Sequence, residues 1–254
     1  MLTQAGCNIQ QTMLYYPNTE LPSPVVLAVE GIQFWPSTAN DYRGFTGTAP
    51  INAPRGTIIV FHGNAGSAAD RSYYVHALSP LGYRVILAEY PGYGTRKGKL
   101  SEGSFVNDAR ETILLASELY QGPLYLLGES LGCGVAAAAA KDSPVPIQGM
   151  MLITPWDTLL SVAREKFPWL PVRFLLKDAY DTVGNLKGYH GRIAIVGAER
   201  DEVIPIQHAQ ALFASLPAGQ RMFTIKGAGH NDWLDVVSPA WWKELVEYIA
   251  GRDT

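Results

Sequence analysis

Five short, nearly continuous apolar runs, at residues 57–61, 84–88, 124–127, 150–153 and 192–196, constrain the fold more than any other feature of the sequence. A strand needs apolar side chains at successive rather than alternate positions only when both of its faces are buried, as in a parallel sheet covered by helices on both sides. The segments between the runs have the spacing of such helices. Ala77, Leu78 and Leu81, then Phe105, Ala109, Thr112, Ile113 and Ala116, and later Ala209, Leu212, Phe213 and Leu216 recur at three- and four-residue intervals. Strands alternating with helices predict an α/β fold with a mostly parallel central sheet flanked by helices. A last strand at 222–225 and a closing helix over 239–249 end the series. Residues 1–55, rich in Pro, Asn and Thr, read as irregular chain plus edge strands, with apolar stretches at 25–29 and 32–35.

A length of 254 residues with no repeat or low-complexity linker predicts one domain over 1–254. The interval 154–191 breaks the strand–helix rhythm, being long for a connection and rich in Trp, Phe and Leu. It reads as a small helical cap over the carboxyl edge of the sheet, where open α/β sheets bind ligands. A net charge of −3 without charge blocks argues against a nucleic-acid surface. The longest apolar run, near 135–140, is far short of a membrane span. Cys7 and Cys133 lack the spacing of a metal site or a disulfide framework, so no metal is expected. Small residues before Cys7 faintly echo a lipoprotein cleavage site. The compartment is then cytoplasmic as the sequence stands, or the cell envelope if an upstream signal is removed and Cys7 carries lipid.

The chemistry-bearing residues follow strands. Gly128-Glu129-Ser130-Leu131-Gly132 joins an apolar strand to an alanine-rich helix, the context in which a serine sits exposed on a strained turn flanked by small residues. A serine hydroxyl is a weak nucleophile and needs a base, with a third group to fix the tautomer of that base. Asp201, just past the strand at 192–196, and His230, in Gly229-His230-Asn231 after the last strand, supply both in the order Ser, Asp, His. Asp157, after the strand at 150–153, is a rival acid, while Asp232 and Asp235 read as solvated or capping residues. Of the five histidines, His62 reads as structural, His76 and His208 fall inside helices, and His190 lies at the cap's exit. The backbone N–H of Leu131 is one expected donor to an oxyanion. The second comes from the glycine-rich turn His62-Gly63-Asn64-Ala65-Gly66, with Asn64 ahead of Ala65. Neither glycine-rich stretch ends in the Gly-Lys-Ser/Thr of a nucleotide loop.

These motifs, with Phe61-His62-Gly63-Asn64-Ala65-Gly66, Glu89-Tyr90-Pro91-Gly92-Tyr93-Gly94, Thr154-Pro155-Trp156, Phe167-Pro168-Trp169-Leu170-Pro171-Val172 and Asp201-Glu202-Val203-Ile204-Pro205, resemble the α/β-hydrolase superfamily over nearly the whole chain. They are most similar to a minimal-cap branch of bacterial esterases and acyl-protein thioesterases. The resemblance implies Ser130 as nucleophile, His230 as base and Asp201 as acid, no cofactor, and an acyl ester or thioester as small-molecule substrate. It leaves the oligomeric state open. A small cap with Trp156 and Trp169 as candidate substrate-binding residues implies short to medium acyl chains, unless both tryptophans are packed as core. Departures at 39–53 and at Arg96-Lys97-Gly98-Lys99 bear on substrate choice rather than chemistry. A non-catalytic binding protein on the same fold is the alternative from another class.

Overall fold

The structure, a computed structural model, describes residues 10–252, so Cys7 lies outside the described residues. Its main sheet has eight strands: β1 (Ile32–Trp35), β2 (Gly44–Gly47), β3 (Gly56–Phe61), β4 (Tyr83–Ala88), β5 (Leu124–Glu129), β6 (Ile147–Ile153), β7 (Arg192–Ala198) and β8 (Arg221–Ile225). The spatial order is β8-β7-β6-β5-β3-β4-β2-β1. From β4 to β8 all pairs are parallel, while β2 runs antiparallel to both β1 and β4. Each of the five apolar runs is a strand. Alternate residues feed opposite cores: Ile59 and Phe61 of β3 join one cluster, Ile58 and Val60 the other.

The helices are α1 (Pro24–Val29), α2 (Ser72–Leu78), α3 (Glu102–Leu119), α4 (Leu131–Lys141), α5 (Leu159–Lys166), α6 (Val172–Leu175), α7 (Thr182–Leu186), α8 (Ile206–Ser215), α9 (Trp233–Val236) and α10 (Pro239–Ile249). Buried residues of α3, α4 and α8 pack on one face of the sheet, and those of α2 and α10 on the other. The chain leaves β3 toward one face and β5, its neighbour, toward the other. Their carboxyl ends therefore diverge and open a crevice between the two following loops, the position at which such sheets bind ligands.

One sequence expectation for the first 55 residues is corrected. The stretch 25–29 is helical, because Pro24 opens α1 and the Ser23 side chain accepts the Val26 N–H as an N-cap. Residues Tyr16–Pro17 pair in parallel with Ala65–Gly66 and so brace the loop after β3. Residues 154–191 carry α5, α6 and α7. Trp156, Leu159, Tyr180 and Leu186 are buried in the core, whereas Trp169 and Phe174 face outward.

Close approach between α4 and β3 requires glycine at 132, where a Cβ would stand 1.9 Å from the carbonyl oxygen of Phe61. Gly132→Ala should therefore destabilise the protein by about 3 kcal/mol or more. Gly103, in the first turn of α3 with open space around it, is the control, and Gly103→Ala should raise stability by up to about 1 kcal/mol. Thermal or denaturant unfolding of the two variants beside the wild type checks both signs.

Candidate active site

Ser130 is the residue between β5 and α4, and its backbone occupies φ 52°, ψ −115°, a conformation that a residue with a side chain adopts only when its surroundings impose it. The imposition is visible on both sides. A Cβ at Gly128 would lie 2.6 Å from the backbone nitrogen of Cys133, and one at Gly132 would strike β3. The turn is held further by Ser130 N–H donating to Ile153 O at 2.9 Å and Cys133 N–H donating to Ser130 O at 3.0 Å. These bonds fix Oγ above the carboxyl edge of the sheet and at the N-terminus of α4, whose dipole favours negative charge.

His230 lies in the loop after β8, with Nε2 3.1 Å from Ser130 Oγ and Nδ1 2.7 Å from Asp201 Oδ2. The Asp201 carboxylate is buried after β7 and accepts further bonds from Val203 N at 2.9 Å and Ile204 N at 2.7 Å, both through Oδ1. Because an ionised carboxylate only accepts, it holds a proton on Nδ1 and leaves the Nε2 lone pair of a neutral ring facing the serine hydroxyl. The rival Asp157 is engaged elsewhere: its Oδ1 lies 2.8 Å from His208 Nδ1 and also accepts from the Ser161 hydroxyl. His208 in turn meets Glu165 through Nε2 at 3.1 Å, so Asp157 ties α5 to α8.

Residues 62–66 form the facing wall. Asn64 is fixed by its own Nδ2 donating to Leu14 O at 2.9 Å and by its carbonyl, which accepts from Tyr16 N at 2.9 Å and Tyr93 Oη at 2.6 Å. His62 is buried, with Nδ1 2.7 Å from Gly63 O and Nε2 3.0 Å from Glu89 Oε1, in agreement with the structural reading of that residue. Asn64, Leu131 and Ser130 border one cavity of about 330 Å³, whereas Ala65 does not. The other walls are mainly apolar and come from Gln10, Met13 and Leu14, from the 154–191 interval, and from Val203 and Ile204 after β7.

Of the two tryptophans, Trp156 lines the cavity but is only 4% exposed and donates Nε1–H to Tyr180 O at 3.2 Å, so it is shared with the core. Trp169 is corrected. It is 76% exposed and does not line the cavity, because the turn between Pro168 and Pro171 aims Phe167 and Leu170 inward instead. Arg96, in the basic departure from the family pattern, is an internal tie rather than a binding group, its guanidinium meeting Asp108 at 2.6 and 2.7 Å.

The sequence reading assigned no role to Glu129, which fills the variable position before the serine. Its Oε1 accepts from Arg71 Nε at 3.1 Å, and its Oε2 from Tyr73 Oη at 2.5 Å and Tyr74 Oη at 2.7 Å. Arg71 also donates through Nη2 to Ala65 O at 3.3 Å, and so clips the elbow to the facing wall. Burial alone would raise the carboxyl pKa, but the Arg71 charge and the two tyrosine hydroxyls outweigh it and hold it below the usual carboxylate range. The one signal in the sequence was an acid at the end of an apolar strand.

A lowered folded-state pKa stabilises the fold above the unfolded-state pKa, and the contribution disappears as pH falls through the folded value. Glu129→Gln should cost about 3 kcal/mol at neutral pH by leaving Arg71 unpaired, and should flatten the acid side of the stability curve. Unfolding of both proteins across the acid range measures this. Asp201→Asn should impair turnover far more than Asp157→Asn on one activated ester, since only Asp201 touches His230.

The sequence profile of the alpha/beta hydrolase fold matches residues 56–188, more than half of the chain. An uncharacterized protein of Mycobacterium tuberculosis is 29% identical over 231 residues, which cover 88% of this chain and 81% of that protein. The lysophosphatidylserine lipase ABHD12 of Macaca fascicularis is 30% identical over 187 residues, 65% of this chain but 46% of the relative. Among solved structures, the Pyrococcus furiosus esterase Pf2001 superposes with a TM-score of 0.69 at 15% identity, covering 92% of this chain and 96% of the other. The Paleococcus ferrophilus monoacylglycerol lipase gives 0.57 at 17% identity, covering 81% and 98%. At such identities the structures share the fold alone, but the profile match and the eight-stranded sheet order agree. The chain belongs to the alpha/beta hydrolase fold family.

Proposed function

We propose that the protein is a serine esterase that cleaves carboxylic esters of short to medium acyl chains through an acyl-enzyme. The observation that carries this reading is the hydrogen-bonded series Ser130–His230–Asp201 opening into an apolar cavity. His230 takes the Ser130 proton as Oγ attacks the acyl carbon, and Asp201 stabilises the imidazolium that forms. The oxyanion is held by the backbone N–H groups of Leu131, at the start of α4, and Asn64. His230 then returns the proton to the leaving alcohol, and water, activated in the same way, releases the acid. The esterase and lipase likenesses on this fold support the choice of acyl transfer.

Chain length follows from the cavity. About 330 Å³ is near the lower end of ligand sites, and its apolar wall rewards each buried methylene by roughly 0.8 kcal/mol until the space ends. The walls at Trp156 and Leu159 belong to the buried core and give little. A single domain over 1–254, with 154–191 as its cap, is part of this reading.

Ser130→Ala should lower ester turnover by about 10⁴-fold or more with an unchanged melting temperature. Retention of a tenth of the activity would move the nucleophile elsewhere. On nitrophenyl esters of increasing length, turnover should rise and then fall within the medium range. Trp156→Ala should shift that optimum and lower stability, whereas Trp169→Ala should change neither. A monotonic rise to palmitoyl esters, or faster cleavage of acyl-cysteine peptides, overturns the short-chain ester reading in favour of an acyl-thioester substrate.

A further inference from the structure

Most of the large apolar side chains are buried, yet the 167–177 stretch turns two aromatic ones outward: Trp169 is 76% and Phe174 85% exposed. They are not isolated. Leu175, which follows Phe174, and Met13 and Val203 are 42%, 50% and 41% exposed and line the same cavity as Ser130, so they mark its mouth. The lining between this mouth and Ser130 is mainly apolar, with Gln10, Asn64 and Lys166 as its polar members.

The charge around this lip is opposite in sign to that of the chain. Residues 164–178 contain Arg164, Lys166, Arg173 and Lys177 against Glu165 and Asp178, a net of +2 where the whole chain carries −3. Lys166 is occupied by Glu202 O at 2.7 Å. Arg173 and Lys177, which flank Phe174, are exposed and make no ion pair among the described residues. Exposed Trp and Phe with flanking cations is the arrangement that settles into the headgroup and acyl boundary of an anionic bilayer. A protein partner of matching chemistry would need an acidic rim and an apolar centre. A bilayer supplies both and also holds acyl esters in line with the mouth.

We infer that the lip formed by Trp169, Arg173, Phe174 and Lys177 docks the protein onto anionic lipid surfaces, so that acyl substrates enter the Ser130 cavity directly from the bilayer. The docking step stands on the exposed surface alone, while the entry step rests on the esterase reading. Docking is reversible, because the two aromatic side chains penetrate no further than the interface and no helix among the described residues is long and apolar enough to span.

The test is flotation of the full chain with phosphatidylcholine vesicles, with and without phosphatidylserine. Wild type and Ser130→Ala should float equally well with the anionic vesicles and far less with the neutral ones. Trp169→Ala/Phe174→Ala should lower partitioning on the order of ten-fold or more. Arg173→Gln and Lys177→Gln should each lower it roughly five-fold, an effect that high salt removes from the wild type. Turnover of nitrophenyl acetate in water should be unchanged in all of these lip variants, while turnover of an ester carried in the vesicles should fall with partitioning. Wild type that stays with the buffer, or an aromatic double variant that floats as well as wild type, overturns docking. So does a concentration-dependent dimer abolished by the same double variant, which would give the lip to a second copy of the chain. Failure of the esterase reading looks different: vesicle binding persists, but neither dissolved nor vesicle-borne ester is cleaved.

Discussion

The strained backbone of Ser130 is the constraint on which the rest of the structure turns. A φ of 52° for a residue with a side chain costs on the order of 1–3 kcal/mol and persists only where neighbouring elements over-determine it. Here they do so through the near contact of α4 with β3, which leaves no room for a Cβ at Gly132, and through the packing of Gly128 against Cys133. The arrangement that forces the turn also sets β3 beside β5, so the loop that follows β3 faces the serine. Ser130 and the 62–66 loop are thus positioned by one piece of sheet geometry rather than by two independent loops.

Two buried carboxylates, Glu129 and Glu89, lie beneath this site. Neither is alone. Glu129 is ion-paired with Arg71 at 3.1 Å, and Glu89 Oε1 is hydrogen-bonded to His62 Nε2 at 3.0 Å. Each pair also has a mechanical consequence, since Arg71 reaches Ala65 O and Glu89 Oε2 accepts the Ala68 N–H at 3.1 Å. Both polar ties end on the 62–68 segment, which fixes the backbone that includes Asn64. Preorganised dipoles need no rearrangement as charge develops, and such ties are how a loop acquires that property.

The sheet was legible in the sequence because parallel strands buried on both faces must be apolar at every position, as 57–61 and 192–196 are. That Ser130, Asp201 and His230 come together was legible for a related reason: each follows a strand, and parallel strands deliver such residues to one edge. Residues 10–18 were not legible. Their pairing with Ala65–Gly66 is two residues long and joins segments about 50 positions apart, so no local period records it. The partners of Glu129 lie 55 to 58 residues away and were hidden likewise. For Trp169 the composition was right and the direction wrong, because a turn between two prolines has no helical period by which to tell an inward from an outward side chain.

On the proposed esterase reading, these ties activate one hydroxyl, that of Ser130, and no other. The most direct measurement of this is intact-mass and peptide mapping after brief treatment with a fluorophosphonate, which reacts with an activated serine whatever the natural substrate is. The account predicts a single adduct on Ser130, lost when His230 is replaced by Gln. No adduct, an adduct on another serine, or labelling of Ser130 at the wild-type rate without His230 would contradict it.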